Sequence, residues 1–178
     1  LYFEGMILFL VLGIGSRLIP VISGLGLEGE RTGIEAVLRN VFLGIVLIAG
    51  FAFESFGFYY TGIILKITMV TWVAMAGWGL FKRSKSKSRL ALGMRASGIM
   101  VLLGVYLSAF VPEYAIHWMH LTYIAGFGLM TLTVASRVTL AHGSYDLAFE
   151  KNSNSLWICG ALVLTAAATR VAAPYTGA

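Results

Sequence analysis

Charge is what this chain has least of. Charged residues make up 12% of its 178 residues and hydrophobic ones 58%. Soluble globular domains carry about 25% charged residues, so a chain this poor in charge is read as an integral membrane protein. Its mean hydropathy of +0.85 agrees. Cysteine occurs once, as Cys159 within an apolar run, which excludes an internal disulfide. No segment alternates polar and apolar residues as a transmembrane barrel requires, so the spans are helical. Also missing are a CxxCH haem-attachment motif, a glycine-rich phosphate loop after a strand, and a nucleophile–base–acid constellation. No internal repeat is evident. The fold class expected is an all-α, polytopic helix bundle with about six transmembrane helices.

What is present sets the topology. The apolar segments run over about Met6–Gly24, Ala36–Phe53, Phe58–Phe81, Leu90–Val111, His117–Gly143 and Ser155–Ala173. Leu1–Gly5 (LYFEG) resembles the remnant of a protease-cleavable tag, with Glu4 where Gln is usual, leaving 6–178 as one transmembrane domain. The formal charge of +5 comes largely from Lys82–Arg89, KRSKSKSR. A cationic loop so placed reports orientation rather than a nucleic-acid partner. The positive-inside rule puts it in the cytoplasm. Counting spans then sets the GERTG and SYDLAFEKN loops on the same side, and the Glu54 and Pro112–Glu113 turns outside. Pro20 is expected to bend the first span beside Arg17. Tyr59, Tyr60 and Trp78 are candidates for the membrane interface.

Histidine is scarce, and its placement is informative. His117 and His120 open the fifth span and His142 closes it. On a straight helix His120 and His142 stand roughly 33 Å apart, so they cannot hold one ion. Glu113, His117 and His120 follow at i, i+4 and i+7, one stripe of a helix on which side chains converge on a metal. Imidazole suits copper, zinc or iron. The plainer alternative has Glu113 capping the helix and His117 facing headgroups. His142 reads equally as an interfacial residue at a helix C-terminus.

Cations inside the membrane need partners. Arg95 and Arg137, near the cytoplasmic ends, can snorkel. Arg17, Lys66 and Arg170 fall in the middle or outer half, where Glu54 and Glu113 are the acidic groups at hand. The outer half is therefore short of negative charge, which an anionic ligand such as haem would restore: a histidine takes its iron while basic side chains hold its propionates. The competing reading has these cations bonded to carbonyls freed by Pro20 and Pro174, or reaching headgroups.

With these residues named, the fifth span resembles the NnrS family, polytopic membrane proteins linked to bacterial nitric oxide stress. The resemblance rests on His120, Gly128, Met130, Thr131, Leu132, Val134, Arg137, Leu140 and His142. Gly15-Ser16-Arg17-Leu18-Ile19-Pro20 is similar to the family's G-x-R-x-x-P element, and Arg170-Val171-Ala172-Ala173-Pro174 to its R-V-x-A-P ending. Tyr123, Ala125, Ala141 and Gly143-Ser144 depart from the family pattern. Family members are longer, and the chain resembles their C-terminal half, so either a homo-oligomer or a second membrane subunit completes it or it binds its cofactor differently.

The resemblance implies haem b and copper as cofactors, with His120, His142, Arg17, Arg137 and Arg170 as the residues to carry over. His117 and Glu113 rest on their spacing alone. The function expected is binding of haem or copper through intramembrane histidines in the response to nitric oxide or nitrosative stress. Two other classes stand beside it. One is a small anion transporter or channel subunit using buried Arg and Lys. The other is an assembly partner packing through Gly98 and Gly104.

Overall fold

The computed structural model describes residues 2–25, 34–143 and 154–176, and every regular element among them is helical. Helices α1 (Tyr2–Ile22) and α2 (Ile34–Ser55) are followed by α3 (Tyr59–Trp72), which continues into a π turn, Val73–Gly77. Helix α4 spans Arg89–Phe110. A 3₁₀ turn at Pro112–Tyr114 then leads into one long composite span: α5 (Ala115–His120), a π segment (Leu121–Gly128) and α6 (Leu129–His142). The last helix, α7, is Asn154–Thr176. Among the described residues, five stretches are long and apolar enough to cross a membrane: Gly5–Ile22, Tyr59–Gly77, Arg89–Phe110, Pro112–His142 and Asn154–Thr176. The apolar part described in α2, Asn40–Ser55, is shorter. The GERTG and SYDLAFEKN loops lie outside the described residues.

The helices turn large apolar side chains outward, Phe42, Ile45, Ile64 and Leu162 among them, each about 60% exposed. In water this would be untenable, whereas hydrocarbon solvates such a surface without cost. Glycine brings the helices together, as expected where packing rather than water expulsion drives association. A Cβ on Gly62 of α3 would stand 2.5 Å from the carbonyl oxygen of Gly50 in α2. A Cβ on Gly104 of α4 would fall inside the Thr122 hydroxyl of the π segment and 2.7 Å from the Thr122 nitrogen. Gly126 meets Val101 in the same way, at 2.6 Å.

Trp78 is fully buried, lying between Gly15 of α1 and Gly98 of α4, where a Cβ would stand 2.8 Å and 3.2 Å from its ring. The third span ends at the π turn, and the chain folds Trp78 back beneath the following loop. Pro20 is accommodated inside α1, close to its end.

The basic loop is tied to α1. The carbonyl of Ser23 accepts the amide N–H groups of Lys85 and Ser86, each at 3.1 Å, and the Ser84 hydroxyl at 3.0 Å. Gly24, at φ +68, makes the turn that brings them together. Ser88 caps α4 by accepting the Ala91 N–H at 3.1 Å. Arg95 donates to the carbonyl of Leu80 at this same end of the bundle.

Candidate functional site

At the opposite end, where the α2–α3 turn and the Pro112 turn lie, the bundle forms a half-open cavity of about 310 Å³. Glu54 of α2, Tyr59 and Lys66 of α3, Ser108 of α4, and His120 and Tyr123 of the composite span line it. That volume is at the lower end of the range typical of small-molecule sites. Polar side chains from four elements meet here within a mainly apolar wall.

Lys66 is the best-anchored of them. Its Nζ lies 2.7 Å from Glu54 Oε1 and 2.8 Å from Oε2, with both side chains close to nine-tenths buried. The ammonium also stands 4.8 Å from the centre of the Phe51 ring. The sequence reading counted Lys66 as a cation short of a counter-charge, but the α2–α3 hairpin supplies one. Because Gly50 and Gly62 let the helices touch, a lysine one turn deeper than the glutamate reaches back to it.

His120 has no such anchor. Its Nδ1 is buried and has no hydrogen-bond partner, a costly state for a polar atom unless something outside the described side chains satisfies it. Immediately after it the helix widens into the π segment, a distortion that recurs at functional sites. Thr122 in that segment is buried, reaching the carbonyl of Val101 at 3.4 Å.

His117 stands beside His120, and the backbone of Arg170 meets His117. The His117 ring is centred 6.2 Å from that of His120, and its Nδ1 lies 3.3 Å from the carbonyl oxygen of Arg170. Tyr175 of α7 packs on Tyr114 at 5.0 Å and on Trp118 at 6.4 Å, fastening the end of α7 to the start of the composite span. Glu113 sits in the 3₁₀ turn and is exposed. Among the described residues no group of three or more His, Cys, Asp or Glu side chains could hold a metal ion.

The remaining candidates lie elsewhere. Arg17 was expected in the middle or outer half of the membrane. The Ser23 bonds instead place its part of α1 toward the basic loop, away from His120. Arg137 and His142 belong to that end as well: Arg137 lies near Gly24 and Ser86, and exposed His142 turns its Nδ1 to the Val138 carbonyl of its own helix at 3.0 Å. The structure thus sets His117 beside His120, brings only the backbone of exposed Arg170 to His117, and separates them from Arg17, Arg137 and His142.

A family model described as NnrS protein matches residues 2–178. The chain belongs to the NnrS family. No curated protein matches it, and no solved structure does. Within this NnrS chain, the donor set tests the cofactors the family suggests. A bare metal ion needs several convergent protein donors, and the described residues offer no group of three. Haem brings its own ring nitrogens and takes one or two axial side chains. His120, an imidazole on the cavity wall, is a side chain that fits that requirement.

Proposed function

We propose that this membrane-spanning NnrS protein binds haem through His120 in the cavity between α2, α3, α4 and the composite span, and serves the response to nitric oxide. The observation that carries the reading is His120 on the cavity wall, its buried Nδ1 left without a hydrogen-bond partner. Haem would supply an iron centre able to take a diatomic ligand or an electron. The chain's own residues would hold and orient it. His120 would hold the iron through a ring nitrogen. The Lys66–Glu54 pair would keep a polar, charge-neutral wall opposite. Tyr59, Tyr123 and Ser108 would offer hydroxyls. His117 and Arg170 would close the outer end. Copper fits only as a secondary metal, held jointly with a donor outside the described residues.

The anion-transporter reading loses ground, because Lys66, the deepest of the cations behind it, is neutralised by Glu54. The test is a haem titration of the detergent-purified protein, followed by absorption and iron analysis. Saturation near one haem per chain, with a Soret band, is expected. Absence of protein-bound Soret absorbance and iron once unbound haem is removed would overturn the proposal.

A further inference from the structure

A second lined space runs on the far side of the bundle, between α1 and α6. Its floor is the buried pair Val11 and Met130. One wall is the α1 stripe Leu10, Ile14, Leu18 and Val21; the other is the α6 stripe that includes Val134 and Val138. The space consists of two adjoining hollows, about 370 Å³ and 290 Å³, joined through Val134 and Val138. Both stripes keep the three-and-four spacing of one helix face. From Leu10 to Val21 the groove is roughly 16 Å long at ~1.5 Å per residue. That is about half of a ~30 Å hydrocarbon core, the depth of one leaflet.

The groove is apolar along its length and cationic at one end. Its mouth lies at the basic loop, lined by Gly24, Ser86 and Arg137, with Lys82, Arg83, Lys85 and Lys87 exposed beside it. Arg17 is exposed on the flank of α1 between Ile14 and Val21. A slot of leaflet depth ending in several cations matches a molecule with an acyl chain and an anionic head. We infer that the α1–α6 groove is a binding site for an anionic phospholipid of the leaflet on the basic-loop side. One acyl chain lies along the two stripes, and the headgroup phosphate meets Arg137, Arg17 and the loop lysines. Juxtamembrane cations bind anionic lipids in this way, each contributing additively at the surface. The site also gives Arg17 and Arg137, which the cavity at the other end leaves unused, a shared task.

The test is native mass spectrometry of the detergent-purified protein equilibrated with an equimolar mixture of phosphatidylglycerol and phosphatidylcholine. Wild-type protein is expected to retain phosphatidylglycerol preferentially, by about five-fold for each cation engaged. Arg17→Gln with Arg137→Gln should lower that preference by about 25-fold, leaving the share that the loop lysines contribute. Ile14→Trp, or Val138→Trp at another lip of the groove, should fill the slot and displace both lipids with helix content unchanged by circular dichroism. Equal retention of the two lipids by wild-type protein would overturn the inference. So would unchanged retention in both tryptophan variants, displacement of the lipid by inorganic phosphate alone, or conversion of a dimer to a monomer by Ile14→Trp, which would assign the groove to a second copy. None of these readouts depends on haem.

Discussion

Lys66 reaches back one helical turn to hold both carboxylate oxygens of Glu54, at 2.7 and 2.8 Å, across the tightest approach between α2 and α3. Removing one partner of such a pair leaves the other charged, buried and uncompensated, which costs about 3–5 kcal/mol. Glu54→Gln and Lys66→Met are each expected to lower the thermal midpoint of the detergent-solubilised protein markedly. The double variant should recover most of the loss, because two neutral groups of similar size carry no unpaired charge. Additive losses in the double variant would show that the two side chains act independently.

Glycine positions provide a second contrast. A Cβ on Gly104 would meet the backbone nitrogen of Thr122 at 2.7 Å, and backbone cannot swing aside as a side-chain tip can. Gly104→Ala is therefore expected to destabilise by about 1–3 kcal/mol or more through overpacking. Gly13→Ala meets nothing within 4 Å and should be neutral or mildly stabilising, since alanine favours a helix by up to ~1 kcal/mol. Unfolding of both variants in the same detergent measures the difference.

Ser88 fixes the start of α4 below the basic loop, with its hydroxyl accepting the Ala91 N–H. Ser88→Ala should cost about 1 kcal/mol, the usual value for a lost cap, and Ser88→Asp should preserve the bond. Hydrogen exchange at Ala91 and Leu92 is the local readout: it should speed up in Ser88→Ala and stay slow in Ser88→Asp.

Much of this fold is written in hydropathy. The segments read from composition coincide closely with the helices, because a run of apolar residues near membrane length has few alternatives in lipid. Pro112 marks its turn, and the stripe that opens with Glu113 announces a helix start. Pairing across helices is written less openly. Glu54 and Lys66 flank the Phe56-Gly57-Phe58 turn, and folding the chain there brings them near each other. That signal was present, but reading it needs the hairpin register, which Gly50 and Gly62 set through backbone contact rather than through pattern. The level of Arg17 depended on how far α1 extends toward the loop, which the Ser23 carbonyl fixes. The π segment after His120 has no sequence pattern of its own. It follows from the packing of Thr122 against Gly104 and of Gly126 against Val101.

His120 carries the functional reading, and a single comparison addresses it. After each variant is saturated with haem and passed through a desalting column, the Soret absorbance per chain is measured for wild type, His120→Ala and His142→Ala. His142 is exposed and bonded within its own helix, so its replacement should leave the band intact, whereas His120→Ala should abolish or strongly shift it. A Soret band of unchanged position and size in His120→Ala would contradict ligation by this histidine.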